Sequence, residues 1–153
     1  MTADAATIHA SAVLIGPKAA LIRGPAGSGK SRLVWDLLQT ATQAGSLLPL
    51  ARLVADDRAH VEVHSGRLLV RPAPALAGLI EIRGLGIRRL AFEPVAAVGL
   101  VVDLAAEDAA RHPAAAAATT VIAGVTLVRL AVAAGIQALP LVLATLRTAP
   151  GRD

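Results

Sequence analysis

Gly24 to Ser31 read GPAGSGKS, and the interpretation of the whole chain turns on these eight residues. Gly24, Gly29, Lys30 and Ser31 satisfy G-x-x-x-x-G-K-[ST], the spacing of a loop whose backbone N–H groups curl around phosphate oxygens. With 13 glycines, two lysines and 14 serines plus threonines in 153 residues, a chance match is on the order of one in a thousand. Each residue type has a physical role. Glycine lets the backbone approach an anion closely, and Pro25, Ala26, Gly27 and Ser28 complete the cradle. The helix beyond presents unsatisfied donors and a partial positive charge, and Lys30 neutralises the outer phosphates. Ser31 offers a hydroxyl to Mg²⁺, an ion that takes oxygen ligands and shares them with a nucleotide. The competing interpretation is a flexible Gly-Ser turn that caps a helix.

Outward from the loop, Ala19 to Arg23 is a mostly apolar strand, and Gly16-Pro17 separates it from a strand candidate at Thr7 to Ile15. After the loop, Leu33, Val34, Leu37, Leu38 and Ala41 recur at helical spacing, predicting an amphipathic helix from Ser28 to Thr42. Short strands follow at Arg52 to Ala55, at Val61 to Val63 and Leu68 to Val70 around Gly66, and at Ile80 to Ile82. Val98 to Leu104 suits a buried strand, and AAEDAARHPAAAAA (residues 105–118) a helix or an Ala-rich connection. Val125 to Val132 is a final strand, with a helix from about Pro140. The expected architecture is one α/β domain over residues 1–153, a phosphate-loop domain with a mixed β-sheet and flanking helices.

Composition narrows the function. The hydrophobic fraction is 55%, but 35 of those residues are Ala, and the longest uncharged stretch, Leu130 to Leu146, is broken by Gly135, Gln137 and Pro140. No transmembrane helix is predicted. The start, MTADAATIHA, lacks a basic region and an apolar run, so a cytoplasmic protein is expected. A net charge of +4 comes from scattered arginines, and one Trp with one Phe gives no stacking platform, so no nucleic-acid partner is expected. With no Cys, disulfides, thiolate catalysis and iron-sulfur chemistry are excluded.

In LVADD a hydrophobic strand ends in Asp56 and Asp57, and strand ends beside a phosphate loop are where ligands of an α/β sheet collect. One acid can serve the metal and the other a proton, because like charges in one site raise a carboxyl pKa. Asp57 is the favoured base. Along an extended strand adjacent side chains face opposite ways, leaving Asp56 to the metal, to His9 or to solvent. A solvated Asp-Asp turn is the alternative. Glu81 and Arg83 in LIEIRGLGI fit either a site or an exposed strand face carrying an ion pair, and His9 in its apolar strand fits a hydrogen-bonded core histidine.

Four segments in order, His9 in IHASAVLIG, GPAGSGKS, LVADD and LAGLIEIRGLGI, resemble the catalytic domain of HPr kinase/phosphorylase, the bacterial enzyme that phosphorylates a serine of the phosphocarrier HPr. The likeness runs over roughly residues 7–104, in the short form found in some proteobacteria, without the N-terminal domain of long members. It implies that His9 and Lys30 belong to the active site, that Ser31 and Glu81 are magnesium ligands, that Ile80 to Arg89, with Arg83, is a catalytic segment, and that Asp57 accepts the serine proton, returning it in the reverse reaction; Asp56 stays a catalytic and metal candidate from its place beside Asp57. ATP, Mg²⁺, HPr or an HPr-like carrier, a homo-oligomer and a role in regulating the phosphotransferase system are implied with it. Long members carry an Arg after a Gly near the C-terminus where this chain has Ile136 after Gly135, leaving Arg129 and Arg147 as substitutes. The alternatives are a small-molecule kinase on the same loop and a non-catalytic nucleotide-sensing module.

Overall fold

The run Ala96–Leu104, apolar except for Gly99 and Asp103, forms the axis of a nine-stranded mixed sheet. The computed structural model describes residues 6–43, 45–46, 48 and 50–151. In chain order the elements are β1 (Ala6–Ile8), β2 (Ala10–Ile15), β3 (Lys18–Arg23), α1 (Lys30–Thr42), β4 (Ala51–Ala55), β5 (Ala59–His64) and β6 (Arg67–Pro72). There follow β7 (Leu79–Ile82), β8 (Gly86–Arg89), β9 (Ala96–Leu104), β10 (Thr119–Ile122), β11 (Val125–Val132) and α2 (Ala138–Arg147). The acidic start of the chain falls at residues 1–5, outside the described residues.

β9 pairs in parallel with β3 along one side. Along the other it pairs antiparallel with β6 at Ala96 and Ala97, then in parallel with β11 from Leu100 to Leu104. This exchange of partners splits the sheet into two branches. The order β1-β5-β6-β9-β3-β2-β4 curls, because Val54 and Ala55 of β4 share a core cluster with Leu68 and Val70 of β6. β2 runs antiparallel to both β3 and β4, so β3, β4, β9 and β11 all end at one edge, where β2 begins. The phosphate loop leaves β3 at that edge, and LVADD ends there as well.

Alternation along the strands gives each face its own core. Val13, Ile15, Ala20, Ile22, Leu100 and Val102 pack against Leu33, Val34 and Leu37 of α1 and Val142 of α2. Ala12, Leu21 and Val101 pack against Ala59, Val61, Leu68 and Val70. Both helices therefore lie on one face, and the curled β5–β6 branch takes the place of helices on the other. Leu33, Val34 and Leu37 contribute about 1.5 to 3 kcal/mol each by burial.

Several local expectations change. α1 begins at Lys30 rather than Ser28, because Gly29 caps it in the left-handed region at φ 101° and leaves Ser28 in the loop. The expected strand Thr7 to Ile15 is interrupted at His9, which bends the chain between β1 and β2. Of the two readings of residues 105–118 the Ala-rich connection holds, with no α-helix and the 3-10 turn Ala115–Ala118 at its end. Alanine offers little apolar surface to hold a helix, and Pro113 bars the helical conformation at its predecessor. Two strands are additional. β10 meets β11 through Ala123 and Gly124, both at positive φ, an alanine-containing turn without the usual Asn-Gly signal. β8 is exposed along its length and pairs only with β7 in a separate two-stranded sheet.

Candidate active site

The phosphate loop joins the end of β3 to the start of α1, so strand and helix together aim the first-turn amides of α1 at the loop. Gly24 sits where a Cβ would lie 2.5 Å from Ser28 Oγ and 3.1 Å from Leu104 O, which accounts for glycine at the root of the loop. Lys30 is buried, and its Nζ donates to the carbonyls of Gly24 at 2.8 Å and Pro25 at 3.2 Å, bracing the loop across its own width. Ser28 Oγ is buried without a hydrogen-bond partner, a costly condition in a loop of this shape. An orphan hydroxyl, the amides of a helix N-terminus and Lys30 fit a chain of phosphates, so the residues present suit ATP. Among the described residues no three His, Cys, Asp or Glu side chains cluster tightly enough to hold a metal unaided. A nucleotide-associated Mg²⁺ needs fewer, since phosphates and water supply most of its ligands.

Asp56 organises the site. Only 6% exposed, it accepts hydrogen bonds on Oδ1 from Ser31 Oγ at 2.6 Å and Ser11 Oγ at 2.8 Å, and on Oδ2 from the Glu81 backbone N–H at 3.0 Å. One carboxylate thus links α1, β2 and β7. Of the alternatives weighed for Asp56, contact with His9 and with solvent are both replaced by this hub. Asp57 is exposed and sits at φ 67° in a three-residue turn closed by Arg58 N–H to Asp56 O at 2.8 Å. That is the rarer, strained γ-turn hand, and it turns the chain out of the strand direction directly after Asp56.

Glu81 lies beside Asp56 through its backbone, with its own side chain exposed. Arg83 is exposed in the β7–β8 turn and makes no ion pair with Glu81. His9 is exposed at the start of β2 rather than buried in a core, on the edge shared with the loop. The eight loop residues, Asp56, Asp57, Glu81 and His9 therefore gather at one end of the sheet. A cleft of about 550 Å³, lined by Glu62, His64, Arg67, Arg71 and Glu93, lies by the Gly16-Pro17 turn at the opposite end. None of the candidate site residues lines this cleft; they lie at the open loop edge.

A second polar group went unread in the sequence. Asp103, paired with Arg23 across β9 and β3, accepts from Arg23 Nε at 2.7 Å and its terminal nitrogen at 2.8 Å, and from Arg129 Nε at 2.6 Å. Arg129 also grips the Asp108 carboxylate at 2.8 and 2.9 Å and the Ala117 carbonyl at 3.0 Å. Burial alone would push the Asp103 carboxyl up, but the hydrogen bonds and charges of Arg23 and Arg129 outweigh it and hold the pKa below the usual value. Asp108 and Asp103 hold the Arg129 guanidinium above its ordinary range. An acid closing the apolar run Val98 to Leu104 and an arginine inside Val125 to Val132 were the available signals. Arg129 is thereby committed, and of the two proposed substitutes for the C-terminal arginine only Arg147, in the last turn of α2, lies outside this network.

No family model matches the chain. Over 86 residues, 56% of the chain, it is 36% identical to HPr kinase/phosphorylase of Levilactobacillus brevis and 37% identical to that of Streptococcus thermophilus. The matched stretch spans about a quarter of the length of these relatives, 25% in each. The HPr(Ser) kinase/phosphatase of Coxiella burnetii superposes with a TM-score of 0.69 at 26% identity, covering 92% of this chain and 93% of that one. Among the described residues no helix is long and apolar enough to cross a membrane. By sequence over 86 residues and by fold over nearly its whole length, the chain resembles the HPr kinase/phosphorylases.

Proposed function

We propose that the chain is a cytoplasmic, ATP- and Mg²⁺-dependent protein serine kinase whose acceptor is HPr or an HPr-like phosphocarrier. The observation that carries this reading is the Asp56 hub, which fastens the phosphate-loop hydroxyl of Ser31 and the backbone of Glu81 to the turn that presents Asp57. The phosphate loop and Lys30 hold the triphosphate. Ser31 and Glu81 would hold Mg²⁺, which when bound offsets charge on the phosphate oxygens. Asp57, exposed at the loop edge, accepts the proton of the acceptor hydroxyl as that oxygen bonds to the γ-phosphorus and the bond to the ADP oxygen breaks. The loop supplies positioning and electrostatic stabilisation, the main contributions in phosphoryl transfer.

The test mixes the purified chain with ATP, Mg²⁺ and HPr-like carriers and locates phosphate by mass spectrometry, with Asp57→Asn alongside. Phosphoserine on the carrier, reduced roughly 10²- to 10⁴-fold in the variant, is the expected result. ATP binding without transfer to any carrier would overturn it and favour the nucleotide-sensing module. One observation bears on the reverse reaction: Ile136 follows Gly135 where long family members carry an arginine, and Arg129 is held by Asp103 and Asp108. We therefore assign the forward transfer as the principal activity.

A further inference from the structure

Ser11 is fully buried in β2, two residues after His9 in IHASAVLIG but with no role assigned to it there, and its hydroxyl stands between the two acids. It donates to Asp56 Oδ1 at 2.8 Å and accepts the backbone N–H of Asp57 at 3.1 Å. The second bond has a particular consequence. A non-glycine residue at φ 67° in a γ-turn is strained and persists only where its surroundings over-determine it. Within this turn the Arg58 N–H is satisfied by Asp56 O, and the Asp57 N–H is satisfied by Ser11. Without the hydroxyl, Asp57 could relax toward an extended conformation and carry its carboxylate with it. Asp56 would at the same time lose one of its two hydroxyl donors, loosening its hold on Ser31.

We propose that Ser11 is a positioning residue that locks the Asp57 turn and aims the base at the acceptor hydroxyl, while steadying Ser31 through Asp56. The inference rests on the kinase reading and deepens it. Because Oγ must donate one bond and accept another, a hydroxyl is required, which thiol, methyl or amide groups do not replace at this size. Threonine keeps the hydroxyl and suits a strand, whereas valine matches threonine in shape and lacks it.

The experiment compares Ser11→Thr with Ser11→Val, so that the added methyl group cancels and only the hydroxyl differs. In carrier phosphorylation, the Val variant is expected to lose roughly ten- to a hundredfold in kcat relative to the Thr variant, as for a catalytic group displaced by about 1 Å, with the KM for ATP changing less than threefold. The amide of Asp57, followed by NMR hydrogen exchange, is expected to stay protected in wild type and Ser11→Thr and to lose protection in Ser11→Val. Equal kcat for the two variants, with wild type active, would overturn the positioning role and leave the kinase reading standing. If wild type transfers no phosphate, the kinase reading fails. The exchange measurement still decides the lock itself: equal protection in the two variants refutes it.

Discussion

Replacing Asp103 by Asn tests the polar group at the root of the phosphate loop. Asp103 and Arg129 are 15% and 13% exposed, so the charge left behind would be poorly solvated. Breaking a buried ion pair by removing one partner costs about 3 to 5 kcal/mol. Two features lower that figure here: Arg23 is about one-third exposed, so its share is screened, and Arg129 keeps its grip on Asp108. A loss of about 2 to 3 kcal/mol remains. At about 2.1 cal/mol/K per residue, 153 residues give an unfolding entropy of about 0.32 kcal/mol/K, so each kcal/mol moves Tm by about 3 °C. Calorimetry at pH 7 should then place Asp103→Asn about 6 to 9 °C below wild type. The difference should depend on pH with a definite sign. The folded-state pKa of Asp103 lies below its unfolded value near 3.8, so the contribution is complete above that value and is lost as pH falls through the lower folded value. The two melting curves should converge in strong acid. A shift below about 2 °C at pH 7, or an equal shift from Asp108→Asn, whose carboxylate faces solvent, would refute the argument from burial.

Lys30→Ala should abolish binding of a fluorescent ATP analogue while the chain still melts cooperatively, because Nζ contacts only the loop's own carbonyls. Gly24→Ala should cost about 1 to 3 kcal/mol in a denaturant titration and weaken nucleotide binding, since Ser28 Oγ can rotate away but the Leu104 carbonyl at 3.1 Å cannot. Leu85→Ser and Ile87→Ser, on a hairpin where these side chains are 62% and 63% exposed, should each leave stability within about 0.5 kcal/mol of wild type by the same titration.

The parts of this protein legible in sequence are those whose chemistry is contiguous. GPAGSGKS holds its strand, cradle, lysine and helix start within a few residues, and short apolar runs report β3 and β9 as a 3.6-residue period reports α1. The Asp56 hub is different in kind: its bonds to Ser11, Ser31 and Glu81 span 45, 25 and 25 residues, so no local pattern announces it. In the sequence Ser11 is one small residue between Ala10 and Ala12, and its place beside Asp56 depends on the register that sets Ala12 against Ala55. The Asp103 network likewise needs three strands in parallel before its charges meet. β8 and β10 escaped because one buries nothing and the other turns through an alanine at positive φ.

The adjacent acids of LVADD show how one turn assigns two roles. Were the strand to continue, Asp56 and Asp57 would simply point to opposite faces, and neither orientation would explain why both stand at the loop edge. Instead the chain leaves the strand after Ala55, and the γ-turn separates one carboxylate into the protein and the other into solvent. A carboxylate has about four acceptor positions, and three on Asp56 are filled by Ser31, Ser11 and the Glu81 amide. With its proton directed to Asp56, the Ser31 hydroxyl keeps its lone pairs for a cation. In the proposed kinase, Asp56 would act on a metal mainly through Ser31, and Asp57, exposed at the edge, would be the carboxylate that meets the acceptor hydroxyl.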